Sequence, residues 1–161
     1  MPDTLTDTEK SQWRVFLTMR RQLDLTLERR LQAGAGISSA DHEILLGLYE
    51  APDRMLRAGQ IADLIGWEKS RVSHQISRME QRGLLSRAEC GDDARGVWVR
   101  LEPDGIRAVL ESSSCRAEAL KEYFFDVLQP DELEVLTRVS TRVLDTIHPR
   151  ICDEAAAPVT A

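Results

Sequence analysis

The sequence predicts a mainly α fold interrupted once by a β-hairpin, and three observations carry that expectation. Apolar residues recur at three- and four-residue steps through most of the 161 residues, the period of a helix with one buried face. The period drops to two over "LLSRAE" and "VWVRL", and these runs are joined by "CGDDARG", whose Gly and Asp residues favour turns. Helical periodicity then returns and holds as far as residue 151.

Taken in order, residues 8–33 form a long first helix with Trp13, Phe16, Leu17, Leu23, Leu27 and Leu31 along one side, and "AGAGISS" breaks it. Ser38 with Asp41 three residues on has the pattern of a helix N-cap and its N3 acid. The helix so opened carries Ile44, Leu45 and Leu48 and stops at Pro52. A short helix covers "AGQIADLI", Gly66 closes it, and a stronger helix runs from about Glu68 to Arg82, ending at Gly83. The hairpin follows, with Val97, Val99 and Leu101 on one face. From Asp104 to about Leu128 the chain reads as helix again, and "QPDEL" restarts a last helix with Pro130 near its first turn. There Leu133, Leu136, Val139, Val143, Ile147 and Ile151 share a side.

Residues 38–101 thus read as a module with its own core, residues 8–33 and 104–151 as helical flanks, and residues 152–161 as a flexible tail. The flanks carry an apolar side that needs a partner surface. The simplest is the same helices of a second copy, in a two-fold dimer.

An apolar fraction of 42% and a charged fraction of 30% describe an ordinary globular protein. The first residues, "MPDTLTDTEKSQW", hold no apolar segment, and no run approaches the roughly 18 apolar residues of a membrane span, so a cytoplasmic location is expected. Cys90, Cys115 and Cys152 are odd in number and widely spaced, which argues against a disulfide framework or a CxxC metal site. His42, His74 and His148 are far apart in sequence, and no metal or cofactor is expected. A Ser-His-Asp arrangement, a phosphate-binding Gly loop and a carboxylate pair are all missing, so the chain does not read as an enzyme. The net charge of -6 hides a local reversal. Arg54 to Arg100 holds nine Lys or Arg against six Asp or Glu, which is +3 and leaves -9 for the rest. A basic segment framed by acidic ones is the local footprint of phosphate binding.

That segment contains "GQIADLIGWEKSRVSHQISRMEQRGLLSR", a helix, a turn at Gly66 and a second helix: the form of a helix-turn-helix. At about 100° per residue, Val72, Ile76 and Met79 define the buried face of the second helix. Ser70, His74, Ser77 and Gln81 lie opposite, with Arg71 and Arg78 along one flank and Ser73 on the other. Short hydrogen-bonding side chains bordered by guanidinium groups suit a helix in a major groove. Only Glu80 is negative between Lys69 and Gln81, whereas a merely solvated helix mixes both signs. The expected DNA-binding residues of this segment are Lys69, Ser70, Arg71, Ser73, His74, Gln75, Ser77, Arg78 and Arg87. With the hairpin, the module reads as a winged helix-turn-helix of three helices plus a β-hairpin wing.

The order of elements, "LRAGQIADLIGWEKSRVSHQISRMEQRGLLSR" followed by "DDARGVWVRLEPDG", resembles the MarR family of bacterial transcriptional regulators over roughly residues 8–150. The specific part is the Asp-x-Arg tip at Asp93 and Arg95, followed by the strand containing Val99 and Leu101 and by Gly105. The resemblance implies that Arg95 enters a minor groove with Asp93 holding it in place, beside a recognition helix at about 68–82 in the major groove. It further implies a homodimer on a pseudo-palindromic operator with half-sites about 10 bp apart, acting as a repressor relieved by a small molecule or an oxidant. Two positions depart from the family pattern: Glu68 is a poor cap for the recognition helix, and Glu102 stands where Thr is common, leaving Asp104 as the expected cap of the next helix.

The sensed signal is less legible. By family analogy it is a small aromatic or phenolic effector in the cleft between dimer helices and winged module, with Trp13 and His42 as candidate lining groups. Trp13 on an apolar helix face reads first as core. The family's redox-sensing branch keeps its reactive cysteine in the N-terminal helix region, where this chain has none. Cys90 beside the wing turn is the alternative redox switch, although Glu89 and the Asp pair nearby disfavour its thiolate. A winged-helix protein-interaction module that touches no DNA is the other alternative. The small-residue run "SSSC" at 112–115 is expected to permit close helix packing, the alternative being that it borders a pocket.

Overall fold

Caps and turns decide where each element begins. The computed structural model describes residues 4–88 and 97–147, which fall into two compact units divided between Leu120 and Lys121. In the first unit Thr6 and Glu9 form a capping box that opens α1 (Asp7–Ala35). Ser38 and Asp41 form the same device before α2 (Ser39–Glu50): the Asp41 N–H donates to Ser38 Oγ at 3.1 Å and the Ser38 N–H to Asp41 Oδ2 at 3.0 Å. A 3-10 turn at Pro52–Arg54 leads into β1 (Met55–Arg57), then α3 (Ala58–Ile65) and α4 (Lys69–Gln81). β2 (Leu85–Ala88), β3 (Trp98–Leu101) and α5 (Pro103–Leu120) complete the unit. Between α3 and α4, Gly66 takes φ +65°, a left-handed conformation that glycine adopts without steric cost.

The three strands form an antiparallel sheet in the order β1-β3-β2, with Leu56 and Arg87 both opposite Val99. β1 is absent from the sequence expectation. It is three residues long and carries no alternation, and its pairing partner lies some forty residues away. The core is continuous across the module: Ile44, Leu45, Leu48, Val72, Ile76, Met79, Leu85 and Val99 are at most 1% exposed. Each such side chain contributes about 1.5–3 kcal/mol by leaving water.

The wing's base is tied to α5 at closely spaced points. The Glu102 N–H donates to the Leu84 carbonyl at 3.1 Å, and Ser86 Oγ donates to Glu102 Oε1 at 2.5 Å. A Cβ on Gly105 would lie 2.0 Å from that Leu84 carbonyl oxygen, so only glycine lets α5 approach. Asp104, expected as the cap, instead lies inside the first turn of α5 and pairs with Arg107. The first helical bond, Ile106 N–H to the Glu102 carbonyl at 2.9 Å, places the helix start one residue after Glu102. Val97, expected on one face of the hairpin with Val99 and Leu101, is 47% exposed and precedes β3. α5 packs on α1, where a Cβ on Gly34 would meet Cys115 Sγ at 2.5 Å, and Ser112 is fully buried: the small residues of "SSSC" do permit close packing.

In the second unit a π-helical turn at Lys121–Phe125 precedes α6 (Pro130–Ile147). The helix expected to run unbroken to Leu128 therefore changes character at residue 121, where the Asp126 N–H bonds five residues back to the Lys121 carbonyl at 2.8 Å. On α6, Val135, Val139, Val143 and Ile147 are exposed in the single chain.

Candidate nucleic-acid interface

The second helix of the helix-turn-helix is α4, and its two faces differ in kind. Val72, Ile76 and Met79 anchor it in the core, as the spacing predicts. Lys69, Ser70, Arg71, Ser73, His74, Arg78 and Gln81 are exposed. Glu68 precedes the helix without a side-chain cap, as its identity implies. Arg71 stacks on the indole of Trp67, its guanidinium carbon 3.5 Å from the ring centroid, a cation–π contact that fixes a flexible side chain at the start of the face.

Arg87, on β2, pairs with Glu80, the one acid of α4, and also donates to Ser77 Oγ at 2.8 Å. These two expected DNA-binding residues, Ser77 and Arg87, are therefore brought together with Glu80, and Arg87 offsets the negative charge. Gln75 is a correction. Its side chain is buried, donating from Nε2 to Asp41 Oδ1 at 2.6 Å and accepting from Arg78, so it faces the core and offers no surface to a base. The spacing carried a signal for this: Gln75 stands three residues after Val72 and four before Met79, on the same row.

Sequence reasoning missed Arg82 altogether. From the end of α4 it donates to Asp41 Oδ2 at 2.7 Å and to the Gly36 carbonyl at 3.1 Å, clamping α4 to the start of α2 and the end of α1. Burial of Asp41 by itself raises its pKa. Hydrogen bonds from Arg82, the Ser38 N–H and Gln75, with the charge of Arg82, outweigh this and hold the carboxyl below its usual value.

Known proteins place this arrangement. The MarR family model matches residues 35–96. The chain is 32% identical to AbsC, a MarR family transcriptional regulator from Streptomyces coelicolor, over 90% of this chain and 97% of that one, with a TM-score of 0.81. The chain belongs to the MarR family. Sco3205, a MarR family regulator from the same organism whose structure is in complex with DNA, is 29% identical over 92% of this chain and 93% of its own, with a TM-score of 0.83. An uncharacterized HTH-type transcriptional regulator of Bacillus subtilis, YdgJ, is 24% identical over 119 residues, 74% of this chain and 71% of its own. This MarR-family chain is accordingly a DNA-binding transcriptional regulator and not an enzyme.

In the MarR-family framework the wing tip is the next position of interest, and Asp93, Arg95 and Cys90 lie outside the described residues. The two effector candidates part company. His42 is buried and its Nδ1 lies 2.8 Å from Ser112 Oγ, so it is a core residue with no surface for a ligand, contrary to expectation. Burial, and after it the positive charge of Arg116, holds the His42 imidazole below its usual pKa. Trp13, expected first as core, is 56% exposed in the single chain, stacks on Phe16 at 5.6 Å and lines an open depression along α1 with Lys10, Arg14 and Leu17. Among the described residues no cluster of His, Cys, Asp or Glu is arranged to hold a metal ion, and no helix is long and apolar enough to cross a membrane.

Proposed function

We propose that the chain is a homodimeric, sequence-specific repressor of the cytoplasm that binds a pseudo-palindromic operator and is released by a small aromatic or phenolic effector. The observation that carries this reading is the outer face of α4, where Lys69, Ser70, Arg71, Ser73, His74 and Arg78 are exposed together while its one acid is paired with Arg87. In the proposed complex this face lies in the major groove, Arg95 enters the adjacent minor groove and Asp93 orients it. Ser77 and Arg87 then act at the edge of the face, through their mutual bond and toward phosphate. Dimerisation rests on the apolar side chains that a single chain leaves exposed: Trp13, Phe16 and Leu17 on α1, and Val135, Val139, Val143 and Ile147 on α6. Covering them with the same helices of a second copy satisfies the hydrophobic effect and sets two recognition helices at a fixed spacing. An effector that changes this spacing relieves repression.

The experiment is binding to a duplex of the DNA upstream of the protein's own coding sequence, followed by fluorescence anisotropy from low to high salt. Specific binding with a steep fall as salt rises is the expected result. Equal affinity for that duplex and for a scrambled one rejects the reading. Sedimentation reads the second part: the wild type runs as a dimer, and Val143→Glu, placed on the exposed stripe of α6, runs as a monomer.

A further inference from the structure

Asp41 stands on α2, yet two polar attachments of α4 and its C-terminal end converge on it. Its Oδ2 accepts from Arg82 and from the Ser38 N–H, and its Oδ1 accepts from Gln75 Nε2 at 2.6 Å. An ionised carboxylate can only accept, so the amide of Gln75 has one permitted orientation: nitrogen toward Asp41, oxygen away from it. The oxygen, turned away from Asp41, accepts from the guanidinium of Arg78. Arg78 is exposed on the recognition face, but its place is set from inside the protein.

We infer that Gln75 is a positioning residue for DNA recognition, relaying the fixed orientation of Asp41 to Arg78. The inference rests on the DNA-binding reading of α4 above. Two features suit Gln75 to the role. Its oxygen is neutral, so Arg78 keeps its full charge for a phosphate or a guanine edge, whereas a carboxylate at this position would cancel it. The ordering of a long, rotamer-rich side chain is also accomplished during folding rather than at binding, which favours the complex.

The test is a double-mutant cycle in the full-length dimer, with the upstream duplex as the probe. Binding is measured for the wild type, Gln75→Met, Arg78→Ala and the double variant. Gln75→Met keeps the size of the side chain and removes both hydrogen bonds. Arg78→Ala is expected to weaken binding about tenfold, Gln75→Met somewhat less, and the double variant no more than Arg78→Ala alone. A merely structural role for Gln75 would weaken binding equally with and without Arg78→Ala, and that additivity overturns the relay. So does an Arg78→Ala variant that binds as well as the wild type, since the relay then has no recipient. Asp41→Asn gives a second reading should Gln75→Met fail to fold. It frees the Gln75 amide to turn its NH2 toward Arg78 and also loosens the Arg82 clamp, so the relay is read as the part of the loss that disappears in the Arg78→Ala background, and equal losses in both backgrounds overturn it. Failure of the wild type itself to bind the duplex selectively would instead reject the DNA-binding reading.

Discussion

Gly105→Ala perturbs the joint between wing and α5 with a single methyl group. The added Cβ would lie 2.0 Å from the Leu84 carbonyl oxygen, 3.1 Å from its carbon and 2.7 Å from Leu101 Cδ1. The side chain of Leu101 can rotate, but the Leu84 carbonyl cannot withdraw without stretching its bond from the Glu102 N–H. Overpacking a close contact costs typically 1–3 kcal/mol, and a clash with backbone belongs at the upper end, about 3 kcal/mol. Weakening the Glu102 bond adds about 1 kcal/mol. Replacing glycine within a helix returns about 1 kcal/mol. The net loss is about 3 kcal/mol. For a chain of this size that lowers Tm by roughly 6–12 °C, read by circular dichroism at 222 nm. A variant melting within about 2 °C of the wild type, or above it, would refute the argument that glycine is required for the approach of α5.

Other expected outcomes follow the same geometry. Gly59→Ala is the converse: nothing lies within 4 Å of the new Cβ on α3, so Tm should rise by about 1–4 °C, and a fall would contradict the open space there. Asp41→Ala leaves Gln75 and the Ser38 N–H without their acceptor and should cost about 2–3 kcal/mol in urea unfolding, the figure held down because the Arg82 side chain is 41% exposed. His42 has a folded pKa below its unfolded value, so the unfolded chain binds the proton more tightly; the stability contributed by neutral His42 is complete above about pH 6.5 and is lost as pH falls toward the folded pKa. Melts between pH 8 and pH 5 should show this slope in the wild type and a shallower one in His42→Gln. Arg95→Ala should weaken operator binding by about 1–3 kcal/mol with Tm unchanged, and undiminished affinity would remove Arg95 from the groove.

Much of the fold is legible in the sequence because it is written locally. The Ser38 and Asp41 cap, the turn at Gly66, the short α3 and the inward row of Val72, Ile76 and Met79 each depend on residues within a few positions of one another. Periodicity and cap chemistry read such features directly, and together they also expose the outer face of α4. What the tertiary structure decided depends on residues far apart in the chain. β1 exists because β3 pairs with it, His42 is buried because Ser112 of α5 meets it, and Gln75 turns inward because Asp41, 34 residues earlier, offers it an acceptor. Arg82 is a clamp for the same reason, its partner lying 41 residues back. Local pattern determines which faces of an element are polar. Whether a polar group on such a face meets DNA or a buried carboxylate is settled by packing, which brings together groups that no local spacing relates.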